Sequence, residues 1–289
     1  MYLRILAAPA LLLVAAPAFA QDSDPAPTSV ETESAPDRGG NFAIVGAGAG
    51  YLPDYEGSND YRFVPVPGLA GRLGGFNFQL IGNRASIDLI DDGTGPGWDI
   101  QAGPVAVVNF NRSSTKSIDD VRVKALGKID TALEAGAYFG IGRVGVITSE
   151  YDRLSVSVSY RHDVGSVHDA GIFTPSVSYM TPLSRKAAVT LFGSAERAEK
   201  GYAQTYFGVT PTGSAASGLA VYSPGGGWKS WTAGIGGAMS ITGDLTHGLQ
   251  LVGGATYRRL LNDFADSPLV SDAGSKSQWM GVVGLAFSF

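Results

Sequence analysis

Apolar and polar residues alternate with a period of two along most of the chain from Asn41 onward. In residues 154–161, leucine, valine and tyrosine alternate with three serines and an arginine. Successive side chains of a β-strand point to opposite faces, so this pattern predicts strands with one apolar and one polar face. The last strand keeps the pattern to the final residue, with these residues on its apolar face: Trp279, Gly281, Val283, Leu285, Phe287 and Phe289.

The alternation predicts twelve strands and no amphipathic helix. The strands are 41–51, 61–72, 76–81, 84–90, 98–110, 127–149, 154–160, 171–181, 186–196, 229–242, 248–260 and about 276 to the end. Residues 127–149 are taken as one strand, because splitting them gives an odd number and bacterial single-chain barrels have an even one. We predict an all-β fold, a single transmembrane antiparallel up-and-down β-barrel of about 12 strands.

The connections between these strands are short on one side and long on the other. The short ones are 73–75, 91–97, 150–153, 182–185 and 243–247, and the long ones are 52–60, 111–126, 163–170, 197–228 and 261–275. The Gly82–Asn83 hairpin is the exception, since it is short but falls on the long-loop side. Outer-membrane barrels have short periplasmic turns and long external loops, whereas a soluble sandwich has no reason to segregate loop lengths.

Aromatic residues lie near many of the predicted strand ends. Tyrosine and tryptophan collect at membrane–water interfaces, so we expect them to form girdles around the barrel. They are Tyr51, Tyr61, Trp98, Tyr160, Tyr179, Trp231, Tyr257 and Trp279.

The amino-terminal 40 residues differ from the rest. Residues 1–20 have a basic start at Arg4, an apolar run and an Ala18-Phe19-Ala20 cleavage site, which predicts a cleaved signal peptide. The alternative is an uncleaved anchor, but this run is shorter than the roughly 20 residues that a span needs. Residues 21–40 are rich in Asp, Glu, Pro, Ser and Thr and predict a disordered acidic periplasmic tail. Residues 41–289 then form the barrel, and we expect export to the outer membrane of a Gram-negative cell.

Composition agrees with a wall that is apolar on one face only. Glycine makes up 40 of 289 residues and charged residues 16%, where about 25% charged is typical. The chain has no cysteine, which excludes disulfides and a lipoprotein anchor. The net charge is −5, so the chain lacks the excess of basic residues that nucleic-acid-binding proteins have, and no nucleic-acid partner is expected. Expected partners are outer-membrane lipid, lipopolysaccharide and the barrel-assembly machinery, for which Phe287 and Phe289 are the predicted insertion signal.

Candidate catalytic groups are few. The chain has no Gly-x-Ser-x-Gly motif. His162-Asp163 and His168-Asp169 place a base beside a carboxylate, but adjacent strand residues face opposite sides, so neither pair is expected to act together. No third ligand is spaced to complete a metal site. We predict a protein that is not an enzyme and has no cofactor.

Two outer loops carry unusual side chains. The loop 197–228 holds several aromatic residues, and we expect a self-packed cap, because loops this long need a core of their own. The alternative is a loop that enters the mouth or lumen and contacts a ligand, a partner or the inner wall. The loop after the first strand is acidic, through Asp54, Glu56 and Asp60. We expect a solvated face there, with divalent-cation bridging to lipopolysaccharide as the alternative.

Three loop motifs resemble those of the MltA-interacting protein family, also called MipA/OmpV. The first is Tyr51-Leu52-Pro53-Asp54-Tyr55-Glu56-Gly57-Ser58 with Asp60-Tyr61-Arg62. The second is Gly201-Tyr202-Ala203-Gln204-Thr205-Tyr206-Phe207-Gly208-Val209, followed by Ser217-Gly218-Leu219 and Tyr222. The third is Tyr257-Arg258-Arg259-Leu260 with Ser267-Pro268-Leu269-Val270. The resemblance covers residues 41–289.

This resemblance implies an outer-membrane barrel without enzymatic activity. The named member of the family is described as a scaffold that joins a murein-degrading lytic transglycosylase to a murein synthase, and other members as immunogenic surface proteins or adhesins. The residues that the resemblance marks are Asp54, Tyr55, Glu56, Gly57, Tyr61, Tyr202, Thr205, Tyr206, Phe207, Gly208, Tyr222, Ser267 and Pro268. The short inner turns leave only the tail 21–40 and five turns for a periplasmic partner.

Two functions follow. The first is an envelope scaffold or surface protein linked to peptidoglycan-remodelling enzymes. The second is a narrow passive channel for small polar solutes, which is favoured by the polar residues predicted to face inward: Asn77, Gln79, Ser155, Ser157, Ser159 and Arg161. Many other inward positions are Gly, Ala or Val, which indicates a tight or plugged lumen at this strand number.

Overall fold

A computed structural model of the chain describes residues 41–90 and 97–289. The predicted signal peptide (1–20), the predicted acidic tail (21–40) and residues 91–96 of one predicted turn lie outside the described residues.

The described residues form a closed barrel of twelve antiparallel strands, which confirms the predicted fold class and strand number. The strands are β1 (Phe42–Pro53), β2 (Tyr61–Leu73), β3 (Phe76–Ile81), β4 (Arg84–Asp88), β5 (Trp98–Asn109), β6 (Ala132–Val144), β7 (Arg153–Asp163), β8 (Gly171–Ser184), β9 (Ala187–Ala198), β10 (Gly227–Ser240), β11 (Gly248–Leu260) and β12 (Ser277–Ser288). Each strand pairs with its neighbours in sequence, and β12 pairs with β1 to close the ring. We call the end with the short turns the inner end and the other the outer end.

The two faces of the wall have opposite polarity. In β7, Val156 and Val158 are 51% and 40% exposed, whereas Ser155 and Ser159 are 2% and 5% exposed. A soluble barrel buries its apolar side chains, whereas here many of them cover the outside, and on β7 the polar side chains point in. An apolar outer surface of this kind suits a lipid environment.

The prediction of no helix is wrong for the outer loops. The described residues contain five short helices, α1 (Val121–Ala125), α2 (Lys200–Phe207), α3 (Pro211–Ser217), α4 (Asn262–Ala265) and α5 (Pro268–Ser271). Three of them begin at a side-chain cap: Asp120 accepts backbone N–H bonds at the start of α1, Thr210 caps α3, and Ser267 accepts from Leu269 N at the start of α5, where Pro268 occupies the first turn. Helices of four to eight residues are too short to show an amphipathic period. None in the described part of the chain is long and apolar enough to cross a membrane.

The single strand predicted for 127–149 is shorter than expected. Only Ala132–Val144 forms β6, and Gly145, with φ of 75°, turns the chain away from the sheet. The strand count is unaffected, because both flanking pieces are loop.

The β3–β4 hairpin explains the one short link on the outer side. Its strands have 6 and 5 residues, and β3 pairs only with Gly68–Leu73 of β2. The hairpin therefore turns well below the outer end of the barrel. The loops on either side of it are joined directly, because Glu56 N donates to Asn111 Oδ1 at 3.1 Å and Asp119 N donates to Asp54 Oδ2 at 3.1 Å.

Aromatic side chains gather at the outer ends of the strands. Tyr51 stacks on Tyr61 with ring centroids 5.1 Å apart, and Tyr257 lies 5.3 Å from Trp231 and 4.9 Å from Trp279. This belt has the position expected of an interfacial girdle.

Candidate functional site at the barrel mouth

Six charged side chains lie inside the barrel near its outer end, and all are between 0 and 4% exposed. We call them the charged layer: Glu56, Glu134, Arg161, Glu196, Lys229 and Arg258. Three are acidic and three are basic, so their formal charges cancel. Isolated buried charges are strongly unfavourable, and pairing of this kind is what permits their burial.

One half of the charged layer is organised by Arg161 of β7. Its Nε lies 2.5 Å from Glu134 Oε2 on β6, and its Nη2 lies 3.0 Å from Glu196 Oε1 on β9. Its remaining nitrogen, Nη1, donates to Thr174 Oγ1 on β8 at 3.2 Å. The planar guanidinium therefore links four strands of the wall.

The other half is organised by Lys229 of β10. Its Nζ lies 2.8 Å from Glu196 Oε2 and 2.8 Å from Glu56 Oε1. Arg258 Nη1 on β11 lies 3.2 Å from the same Glu56 oxygen. The ion pairs thus run without interruption from β6 to the loop between β1 and β2, and they tie the wall together across the lumen.

The two histidines do not form the His–Asp pairs that were considered from sequence. His168 Nε2 lies 3.3 Å from Glu134 Oε1, which also accepts from Asn109 Nδ2 at 3.0 Å. His162 Nδ1 instead lies 2.9 Å from the backbone oxygen of Asp163. Neither histidine contacts the carboxylate next to it in sequence, as expected. His168 instead contacts the carboxylate of Glu134 on β6. Among residues 41–90 and 97–289, no group of three or more His, Cys, Asp or Glu is arranged to hold a metal ion.

The loop between β9 and β10 covers the charged layer. Tyr202 and Tyr206 of α2 lie 4.7 Å apart by ring centroid, and Phe207 packs edge-on against Phe264 of α4 at 5.1 Å. Tyr202 also reaches downward: its hydroxyl donates to Glu56 Oε2 at 2.9 Å. Lys229 Nζ on β10 donates to the same hydroxyl at 3.3 Å. The loop therefore combines the two arrangements considered from sequence, because it is a self-packed cap whose lowest tyrosine also contacts the inner wall.

A second cluster joins four outer loops into the same cap. It contains Tyr55, Ile118, Val123, Val209, Leu219, Leu269 and Ala273. Tyr55 Oη donates to the backbone oxygens of Leu269 and Ala273 at 3.1 and 2.9 Å, and burial raises the pKa of this phenol. Arg112 Nη1 donates to Tyr206 O at 3.4 Å, and burial lowers the pKa of Arg112 to about 10. The outer loops are therefore one packed unit.

The prediction of a solvated first loop is wrong for two of its three carboxylates. Asp54 and Glu56 are buried, because N–H donors and cations from neighbouring loops and strands replace water around them. Burial raises the pKa of Asp54, and the N–H of Asp119 counteracts this in part. Burial also removes these two carboxylates from any cation bridge to lipopolysaccharide.

The other residues marked by the family resemblance mostly hold the cap together. Ser267 Oγ donates to Phe207 O at 2.7 Å, Pro268 begins α5, and Tyr222 Oη donates to Asp263 O at 2.9 Å. Gly208 ends α2, and Thr205 lies half-buried on the same helix.

Two more of these residues are Gly57, where the backbone geometry favours glycine, and Tyr61, which lies in the aromatic belt. Gly57 has φ of 100°, and a Cβ there would lie 2.6 Å from Val270 Cγ2. Tyr61 accepts a hydrogen bond from Trp279 N at 3.1 Å within the aromatic belt. Phe287 and Phe289 face outward near the inner end, and their role as an insertion signal stays a prediction.

Sequence reasoning missed most of the charged layer. Glu134, Glu196 and Lys229 were not singled out, and Arg258 appeared only inside a motif. The signal was present as charged residues at inward positions near the outer ends of five strands, β6, β7, β9, β10 and β11. Because the side chains at this level are almost fully buried, the charged layer and the cap close the mouth of the barrel.

The barrel is similar in fold to solved outer-membrane proteins of low sequence identity. An outer membrane channel from Pseudomonas putida F1 matches with a TM-score of 0.40 at 12% identity, covering 92% of this chain and 99% of that one. The translocator domain of the autotransporter NalP from Neisseria meningitidis matches with a TM-score of 0.38 at 13% identity, covering 90% and 91%. These likenesses concern the fold alone. No curated protein matches the chain.

A family description matches most of the sequence. It reads "MltA-interacting protein MipA" and covers residues 45–289, which are all of the barrel except the first three residues of β1.

Proposed function

Because the chain belongs to the family of MltA-interacting proteins, MipA, we propose that it is a closed, non-enzymatic outer-membrane barrel that anchors peptidoglycan-remodelling enzymes at the inner face of the membrane. The family name points to a lytic transglycosylase as one partner, and a murein synthase is the second that the resemblance implies. The observation that carries this proposal is the charged layer, since a barrel sealed at its mouth is suited to holding proteins rather than passing solutes.

The seal is costly to open, which supports a permanent rather than a gated closure. Moving Arg161 out of the lumen would leave Glu134 and Glu196 buried without their shared cation. Breaking a buried ion pair by removing one partner typically costs about 3–5 kcal/mol. A hydrated solute passing this level would have to disrupt several such pairs together.

The surface proposed to receive the partner is the turn between β6 and β7 at the inner end. Ile147 and Tyr151 are 67% and 59% exposed there. The turn is held rigidly, because the Asp152 carboxylate accepts N–H bonds from Val146 at 2.5 Å and Ile147 at 2.8 Å, and also from Thr148. Exposed apolar side chains on a rigid turn are suitable anchors for a protein partner.

Two measurements test this function. The purified barrel in planar bilayers is expected to show no steady conductance. The immobilised barrel is expected to retain a purified periplasmic lytic transglycosylase, and the double variant Ile147→Ser/Tyr151→Ser is expected to weaken retention at least tenfold. The matched control is Val121→Ser, which changes an exposed valine on the outer loops and is expected to leave retention unchanged. Equal retention by the double variant would remove the proposed contact surface.

A narrow passive channel is the second candidate. It is favoured by a group of inward polar side chains around a small space below the charged layer: Gln79, Arg84, Ser86, Tyr138, Ser157, Ser159, Thr174 and Ser176. Steady conductance of the wild-type barrel, reduced by Ser157→Phe, would establish this function and rule out the closed scaffold.

A further inference from the structure

The lumen contains a second space whose chemistry differs from that of the polar group. It is a cavity of about 300 Å³ between β1, β2 and β8–β12. Among the residues that line it, three have polar side chains, Thr190, Gln250 and Thr256, and none is charged. One side of the lumen is thus polar and the other side is apolar.

The cavity exists because many inward positions on this side carry no side chain. They are Gly46, Gly48, Gly50, Gly68, Gly236, Gly254 and Gly284. Several of these glycines are also required by close strand approach, since a Cβ at Gly48 would lie 2.5 Å from Val283 O. The space they leave is bounded by larger apolar side chains, among them Leu52, Phe192 and Met280.

The cavity is long, and different groups lie at its two ends. Its lining on β1 extends from Ile44 to Leu52, which is roughly 26 Å of strand at about 3.3 Å per residue. Leu245, in the turn between β10 and β11, lies at the inner end, and its carbonyl accepts from Gln250 Nε2 at 2.9 Å. Thr256 lies two residues below Arg258 of the charged layer. It is 5% exposed, and its Oγ1 has no hydrogen-bond partner among the described residues.

We propose that this cavity binds one uncharged aliphatic chain, with a small polar group such as a hydroxyl or a carbonyl placed at Thr256. An apolar cavity of about 150 Å³ holds benzene, so on that scale 300 Å³ holds about twelve non-hydrogen atoms. A lining without charges excludes an ionised group, because nothing would replace its hydration. The length of the cavity favours an extended chain over a compact ring.

A chain of this chemistry has two sources, the tail of an outer-membrane lipid and a free apolar molecule. The inference does not depend on the scaffold function, since a closed barrel and a conducting one would share this part of the lumen.

The test uses the mature barrel refolded in a steroid-based detergent, which has no alkyl chain to imitate the ligand. The probe is 1-decanol, and bound decanol is counted by native mass spectrometry during a titration. The blocking variant is Gly68→Leu: a Cβ at Gly68 meets only Gly46 O at 3.8 Å, so the leucine extends into the cavity without a backbone collision. The matched control is Gly193→Leu on the outer face, where the nearest atoms lie at 3.7 Å.

We expect one decanol per wild-type barrel, unchanged binding by the control and at least tenfold weaker binding by Gly68→Leu. Ala238→Leu, which narrows the cavity from β10, is the second blocking variant if Gly68→Leu does not give a heat-modifiable folded band. No binding by the folded wild type, or equal binding by a folded blocking variant, would overturn the inference.

A further sample, extracted directly from outer membranes, separates the two sources. A phospholipid adduct that is lost from the blocking variant identifies a lipid tail, whereas decanol binding without such an adduct identifies a free apolar molecule.

Discussion

Lys229 Nζ and Glu56 Oε1 form a 2.8 Å ion pair inside the barrel, and neither side chain reaches water. Lys229 stands at the outer end of β10, and Glu56 belongs to the loop after β1. The pair therefore fixes the first outer loop to a wall strand three positions away from β1 in the ring. Because Lys229 also pairs with Glu196, one ammonium group supports two buried carboxylates.

Lys229→Met is predicted to destabilise the barrel by about 3–5 kcal/mol, because it leaves Glu56 and Glu196 buried with less positive charge. The free energy of unfolding in urea, measured by loss of the compact gel band, checks this. Lys128→Met is the control: the side chain of Lys128 is 68% exposed and that of its partner Asp130 is 81% exposed, so the loss of this pair should change stability by no more than about 0.5 kcal/mol. Similar losses in the two variants would mean that the ion pairs of the layer carry little stability.

Arg161→Ala is predicted to turn the sealed mouth into a cation-selective leak. Without its guanidinium, Glu134 and Glu196 face each other across a gap that water can enter, and their negative charge attracts cations. Single-channel recording in planar bilayers with a salt gradient gives both conductance and selectivity. Arg122→Ala, on an exposed loop helix, is expected to stay as closed as the wild type. A silent Arg161→Ala barrel would show that the cap alone closes the mouth.

The Asp152 carboxylate is predicted to stabilise the inner turn in a pH-dependent way. Burial raises the pKa of Asp152, but N–H bonds from Thr148 and Val146 and the hydroxyl of Tyr179 more than offset this, so its pKa is lowered in the folded barrel. The stabilisation is therefore present above the unfolded pKa of about 3.9 and is lost as pH falls through the folded value.

Asp152→Asn should speed amide exchange at Val146, Ile147 and Thr148 at neutral pH, and the difference from wild type should shrink in strong acid. Asp130→Asn changes an exposed carboxylate and serves as the control. A difference that stays constant with pH would exclude ionisation of Asp152 as the cause.

Gly57→Ala is predicted to loosen the cap by about 1–3 kcal/mol through a collision and a strained φ together. Its new Cβ would lie 2.6 Å from Val270 Cγ2 at φ of 100°. Gly127→Ala isolates the backbone contribution, because Gly127 lies in another outer loop, has φ of 81° and has nothing within 4 Å of a new Cβ.

The double variant Gly57→Ala/Val270→Ala should recover only the part due to the collision. Limited proteolysis of the outer loops measures the loosening. If Gly57→Ala resists protease as well as Gly127→Ala does, a Cβ at position 57 does not collide with Val270.

The barrel could be predicted from sequence because its strands follow a period of two, which depends only on neighbouring residues. The charged layer could not, since Glu56, Lys229 and Arg258 meet only after the ring has closed. The loop helices could not be predicted for another reason: with four to eight residues each, they are too short to show a helical period, and only some begin at a capping side chain such as Asp120. The cavity exists because the glycines on one side of the lumen have no side chains. Which strands share that side depends on the order of the strands in the closed ring, which the local sequence pattern does not give.

The shared core of the outer loops also determines how other molecules would recognise this protein from outside. Tyr55, Tyr206 and Leu269 come from three separate loops, and the packing among those loops fixes the shape that each presents. An antibody raised against the native barrel should therefore recognise an epitope formed by several loops, and this epitope should be lost on boiling. Antisera against single linear loop peptides should bind intact cells poorly. For the same reason, a peptide tag inserted in one loop will disturb the presentation of its neighbours.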